Sequence, residues 1–402
     1  MDVFAARFPV FDSGKNVSLY ELSFRPGYEE CCRELPKDGD EGLMALINFD
    51  ELSGGKKALV NFTRELLLAR FPQVFSSELM VPCVDGRLGV DAEVVAHCKQ
   101  LRERGYQLAV DNFTPAMLKG PWTYLANIVR VGTATRTIEE QQLVCEQCST
   151  RGITVVAQDV DSQDQFVLAN QMGYSLFQGQ FFSRPDTSVV GELTTNKLIC
   201  LRLMKEVNQQ PFSYDTVAGL IEQDVAMAYK LLRLINSAWF GLRYEVRSIR
   251  HALVLLGPRE VQRWASLVAL NQSGDDKPGE LLMLSLTRAK FAEQLAEMAG
   301  MKKQAGELFL MGMFSVLDAL MDRPMEEMLA EVPLSKDIKN ALLTGGGPYG
   351  QVYQAMLAYE HAQWVLFSDL ASSLGMPEAP VAGAFRKSLA WSAQALQTEV
   401  TA

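Results

Sequence analysis

A chain of 402 residues, 48% apolar and 21% charged, has the length for two domains and the composition of a soluble globular protein. No apolar run approaches the roughly 20 residues that span a bilayer, and the opening MDVFAARFPVF lacks a secretory signal's basic start, so a cytoplasmic protein is expected. A net charge of −10 without a Lys/Arg run argues against nucleic acid, and seven irregularly spaced cysteines suit free thiols in a reducing compartment.

The first 186 residues alternate short β-rich runs with helical stretches. Strands are predicted at 3–11, 17–24, 57–62, 76–83, 106–113, 127–132, 153–160 and 176–183, with helical patterns such as AEVVAHCKQLRER and DQFVLANQM between them. Repeated β-then-α units with Val/Ile-rich strands favour parallel pairing covered by helices. Without a dinucleotide glycine signature they suit a closed α/β barrel. Cys145 and Cys148 form a C-x-x-C on one such helix. No second pair of Cys or His ligands accompanies them, so two packed residues one turn apart are expected. A polar stretch over 187–197 reads as a linker and a hinge. From Leu198 onwards only helical periodicity recurs, punctuated at Gly257–Pro258 and Asp322–Arg323–Pro324, which predicts an all-α bundle over 198–402. The string GGGPYG at 345–350 follows a helix and holds a proline, so a flexible loop is expected there, not a phosphate cradle.

In an α/β barrel the functional side chains belong at the C-terminal ends of the strands. Those ends are read here as Glu21, Asn61, Glu78, Asp111, Asn112, Arg130, Gln158 and Gln178, which looks like the frame of a divalent-metal site. On these segments the chain resembles the EAL family of cyclic-di-GMP phosphodiesterases. YELSFR is similar to the E-A-L-x-R opening, ALVNF to the V-N-L strand and SSELMVP to the E-L-T-E strand. AVDNFTP is similar to D-D-F-G-T-G, VVAQDVD to V-A-E-G-V-E and FQGQFFSRP to the closing Q-G-y-x-x-x-x-P. The resemblance covers residues 1–186 and implies a TIM-like barrel. It implies that Glu21, Asn61, Glu78 and Asp111 stand at the first-metal positions, and Arg25, Gln178, Arg184 and Pro185 at nucleotide contacts.

The departures from the family pattern bear on function. In active members two metal ions sit on a row of carboxylates, and a lysine helps to activate the attacking water. Here Asn112 stands where the second aspartate belongs and Gln158 where a glutamate belongs, which removes two negative charges. Val81 replaces the last glutamate of E-L-T-E, Thr114–Pro115 replaces the G-T-G turn, and Gly132 stands where an aspartate follows the lysine. Arg130 replaces the lysine itself, and a guanidinium cannot take a proton from water near pH 7.

The helical half has its own resemblance. The stretch from Ala218 to Trp264 is similar to the core of HDOD domains, with Asp224, Leu231–Leu232, Asn236–Ser237, Phe240, Ile249, Ala252, Leu256 and Gly257 in place. HDOD domains resemble HD phosphohydrolases that have shed their metal ligands. With three histidines in all, none followed by aspartate, the composition agrees; Phe314–Ser315 stands where an HD enzyme carries its His–Asp pair. Trp264, Met311, Phe314 and Trp364 read as core.

The expectation is therefore a degenerate EAL barrel over 1–186, a linker over 187–197 and an HDOD domain over 198–402. Such a protein is expected to be a non-catalytic adaptor in cyclic-di-GMP signalling that controls motility or biofilm formation through contacts with other signalling proteins. A receptor that binds cyclic-di-GMP without cutting it and a residual phosphodiesterase stand as alternatives. No cofactor is required; magnesium and cyclic-di-GMP are the ligands left open, and a homodimer is compatible with the resemblance.

Overall fold

The structure, a computed structural model, describes residues 3–27, 49–186, 195–223, 227–228, 231–232, 235, 246, 248–273 and 277–400. Asp224, Asn236–Ser237, Phe240 and the expected linker from 187 to 194 lie outside these residues.

Eight strands close into a barrel in sequence order: β1 (Ala5–Phe11), β2 (Val17–Phe24), β3 (Lys57–Phe62), β4 (Met80–Asp85), β5 (Ala109–Asp111), β6 (Ile128–Gly132), β7 (Thr154–Gln158) and β8 (Leu176–Phe177). Pairing from β2 to β8 is parallel, as the alternating pattern predicts. The departure is β1, which runs antiparallel to both β2 and β8. Its cause is local. Only five residues join β1 to β2, Asp12 accepts from the Asn16 amide at 2.9 Å, and Lys15 takes a left-handed φ of 60°. So short a connection leaves no room for a crossover helix and must reverse the chain.

The barrel interior follows from the period of two along a strand. Val10, Leu19, Leu59, Val81, Cys83, Ala109, Ile128 and Val156 form its apolar cluster, with Leu176 packed against it. Helices α1 (Ala92–Glu103), α2 (Ile138–Ser149) and α3 (Gln163–Gln171) cover the outside, and each starts at a side-chain cap: Asp91, Thr137 in a capping box with Glu140, and Ser162. Cys145 and Cys148 are buried on α2, where burial pushes their thiols up to about 12 and about 11; they are packed, neutral side chains.

Packing divides the chain into two compact units. The first comprises Met1–Arg184 with two C-terminal segments, Ala358–Phe367 and Glu378–Arg386; the second holds the remainder. Among the described residues from 195 onwards only helices and turns occur. The longer ones are α4 (Thr195–Asn208), α5 (Tyr214–Glu222), α6 (Ile249–Ser273), α7 (Gly279–Met298), α8 (Ala305–Phe314), α9 (Lys336–Thr344), α10 (Gly347–Glu360), α11 (Trp364–Ser373) and α12 (Val381–Val400). Gly257, at φ 78°, and Pro258 kink α6 where a stop and restart was expected. The GGGPYG stretch is not a loop. Gly345 caps α9 in the left-handed conformation, and α10 begins at Gly347 with Pro348 in its first turn, where a missing N–H costs nothing. A side chain at Gly350 would meet the Gly345 carbonyl oxygen at 2.1 Å, so the turn needs glycine.

Within the first unit, the C-terminal segments form an aromatic cluster with the start of β1. Phe4 lies 5.8 Å from the Tyr359 ring, 6.2 Å from Trp364 and 6.0 Å from Phe367, and Tyr359 packs on Phe385 at 4.8 Å. The barrel unit is thus completed by residues some 350 positions away in sequence. Phe367 is fully buried, so Phe367→Ala is expected to destabilise this unit by about 3–5 kcal/mol, while Phe367→Leu costs far less. Urea unfolding of the full chain measures both; equal, negligible losses would show that the cluster contributes nothing.

Candidate functional site

One position on, or just past, each of the strands β2 to β8 builds the site. Glu21, Asn61, Cys83, Asp111, Arg130, Gln158 and Gln178 each lie two residues beyond an interior residue: Leu19, Leu59, Val81, Ala109, Ile128, Val156 and Leu176. Strand alternation therefore turns all seven toward the same end of the interior. Six of these residues were expected. Cys83 is the exception: the β-rich run predicts β4 over 76–83, and the strand runs over Met80–Asp85.

That shift removes Glu78 from the set. It sits in the turn before β4, exposed, its backbone amide donating to the Ser76 hydroxyl, and it cannot reach the C-terminal end of the barrel. The place expected for it is taken by Cys83, whose thiol is fully buried and pushed up to about 12 by burial, hence neutral. Val81 is not a lost strand-end acid but a core residue; the strand ends at Asp85. Asp85 is held below the usual carboxylate range by Arg87, which donates to it from its side chain and backbone, and Asn112 donates to it at 3.3 Å.

Arg130 is 3% exposed and stands at the centre. Its Nη2 donates to Glu21 Oε2 at 2.5 Å and to Gln178 Oε1 at 2.8 Å; its Nη1 donates to Glu21 Oε1 at 3.1 Å. Asn61 Nδ2 and Gln178 Nε2 donate to the two oxygens of the same carboxylate at 2.6 Å and 2.7 Å. Asp111 lies 3.6 Å from Nη1, and its buried Oδ1 has no hydrogen bond. Burial works to lower the Arg130 pKa, yet Glu21 and Asp111 outweigh it and hold the guanidinium above its ordinary value. It is a permanent cation.

The residues present do not fit a pair of metal ions. Glu21 already accepts four hydrogen bonds, Asn61 presents its amide nitrogen, and Asn112 points its nitrogen at Asp85. Among the described residues, no group of three or more His, Cys, Asp or Glu side chains is placed to hold a metal. Gln158 is half-buried, and its backbone carbonyl accepts from Thr133 at 2.8 Å. Of the expected nucleotide contacts, Arg25 pairs with Glu378 at 2.5 Å and stacks over Phe4, Arg184 is exposed, and Pro185 is half-buried. Gly179, at φ 152°, is compressed against the Val160 backbone so closely that only glycine fits, which accounts for the Q-G step of the closing motif.

Asp159 also escaped the sequence reading. It follows Gln158 in the left-handed region at φ 60°, where the family pattern V-A-E-G-V-E has glycine. Burial, then the charge of Asp161, raises its pKa.

In the second unit, Ser315, which the sequence resemblance sets against the His–Asp pair of HD enzymes, is held by hydrogen bonds inside the helical core. The buried Arg288 donates to Ser315 Oγ at 3.1 Å, and Ser315 donates to the Gly312 carbonyl at 2.7 Å. Asp318 is pushed up by burial. Phe314 and Met311 are fully buried, as expected for core. A cleft of about 560 Å³ in this unit is lined by both signs of charge, including Arg259, Glu297, Lys302 and Lys303.

The HDOD domain family matches residues 193–363. The uncharacterized protein YuxH of Bacillus subtilis is 30% identical over 395 residues, covering 94% of this chain and 96% of that one. Cyclic di-GMP phosphodiesterase CdgJ of Vibrio cholerae is 31% identical over 375 residues, covering 90% of this chain and 85% of that one. Among solved structures, a Klebsiella pneumoniae BlrP1 complex with calcium and cyclic-di-GMP aligns at 20% identity and a TM-score of 0.36, over 46% of this chain and 56% of that one.

Asp159→Gly is expected to stabilise the protein near pH 7 by up to about 1 kcal/mol from relief of the left-handed backbone alone. The raised carboxyl adds to this: with its folded pKa above the unfolded one, the ionised form costs stability above the folded value, and the cost fades as pH falls. The gain over wild type should therefore shrink toward about pH 4. Thermal unfolding of both proteins across this range tests it; a variant less stable than wild type at neutral pH would contradict both causes.

Proposed function

The chain belongs to the family of EAL–HDOD signalling proteins, and from that membership we propose that it is a non-catalytic adaptor in cyclic-di-GMP signalling. The observation that carries this reading is Arg130. Hydrolysis in this fold needs water deprotonated between metal ions, with a lysine beside it. A buried guanidinium paired with Glu21 can neither accept that proton nor leave Glu21 open to a metal. The neutral thiol of Cys83 and the amides of Asn112 and Gln158 add support, since each stands where charge would be needed to hold a dication.

An adaptor of this kind acts by contact with other proteins, and we assign that role to the cytoplasm. No described helix is long and apolar enough to cross a membrane. A pure cyclic-di-GMP receptor draws less support, because Arg25, the expected phosphate contact, is engaged by Glu378. The name of the Vibrio relative as a phosphodiesterase makes turnover the decisive test. Incubation of the purified protein with cyclic-di-GMP in magnesium or manganese is expected to yield no linear product. Turnover at about one per second or faster, abolished by Glu21→Ala, would refute the proposal.

A further inference from the structure

We infer that Arg130 is the resident cation of the barrel end: it does there, by charge, what a metal ion would do, and a divalent ion binds only when the guanidinium is removed. The inference rests on reading the barrel as non-catalytic, but it is read out by ion binding and not by turnover, so the two fail separately.

A carboxylate offers about four lone-pair positions, and all four at Glu21 are taken: Asn61 and Arg130 at Oε1, Arg130 and Gln178 at Oε2. Asp111, 3.6 Å from the guanidinium, contributes the second negative charge. Its buried Oδ1 without a hydrogen bond faces the same cation, held by charge and not by a donor. A dication entering this space would meet a fixed positive charge a few ångströms away at low dielectric, so the two exclude one another. The surroundings otherwise offer the oxygens of Glu21, Asp111, Asn61 and Gln178, beside the neutral Cys83 thiol 3.9 Å from Nη1. Without Arg130, Gln178 Oε1 loses the donor it accepts from, Glu21 is left with the Asn61 and Gln178 amides, and Asp111 is uncompensated. Two carboxylates and two reorientable amides make a donor set for one manganese or magnesium ion and not for two.

The test is manganese binding to the full chain, followed by electron paramagnetic resonance, for wild type, Arg130→Met and Arg130→Met with Glu21→Gln. Wild type is expected to bind no ion at this site tighter than about 1 mM. Arg130→Met should bind at least about tenfold tighter, and the double variant should lose that gain. If Arg130→Met is unfolded without metal, manganese should restore its circular dichroism by mass action. Wild-type melting should be indifferent to both EDTA and manganese. The inference is overturned by wild-type binding that Glu21→Gln removes, by a melting point that EDTA lowers, or by Arg130→Met neither binding nor being rescued by manganese.

Discussion

A guanidinium buried to 3% exposure cannot shed its proton, so every group around Arg130 is arranged to meet a permanent positive charge. Desolvating the pair with Glu21 costs several kcal/mol for each ion, which only close geometry and further hydrogen bonds offset. The barrel supplies both. Two guanidinium nitrogens reach the two oxygens of one carboxylate, two amides donate to the same oxygens, and Asp111 stands behind as a second negative charge. The pair is thus weak evidence for stability, and it commits Glu21, with Asn61 and Gln178 around it, to the guanidinium.

The period of two explains why so much of this was legible in sequence. Leu19 with Glu21, Leu59 with Asn61, and Ile128 with Arg130 each place a polar residue one layer beyond an apolar one, and once the apolar member faces the interior the polar one must follow it there. The same rule explains the error at β4. Residues 76–83 and 80–85 overlap, both contain Met80–Cys83, and apolar content alone does not fix which end the strand finishes at. Parity does: Val81 and Cys83 face inward, so Glu78, an odd number of residues away from each, belongs to the other face and precedes the strand altogether. Asp159 was missed for a different reason, since its left-handed backbone is a property of the turn and not of its residue type. The antiparallel β1 was hidden because alternation reports burial and not direction; the five-residue connection was the available signal.

The helical unit repeats the theme with other means. Sequence composition left it too few histidines for an HD metal site, and the structure places the buried Arg288 on Ser315. In both units a buried arginine is tied down by side-chain hydrogen bonds, Arg130 to Glu21 and Gln178, and Arg288 to Ser315. The completion of the barrel unit by Ala358–Phe367 and Glu378–Arg386 was beyond reach of local patterns, because it depends on contacts between residues more than 350 positions apart, such as Phe4 with Trp364.

The central claim is that Arg130 and Glu21 act as one unit. A double-mutant cycle on unfolding free energy, with Arg130→Met, Glu21→Gln and the pair combined, measures their coupling directly. The account predicts that each single variant strands a buried group and costs more than the double, with a coupling of at least about 2 kcal/mol. Additivity within about 0.5 kcal/mol would mean that the two side chains are neighbours without dependence, and would contradict it.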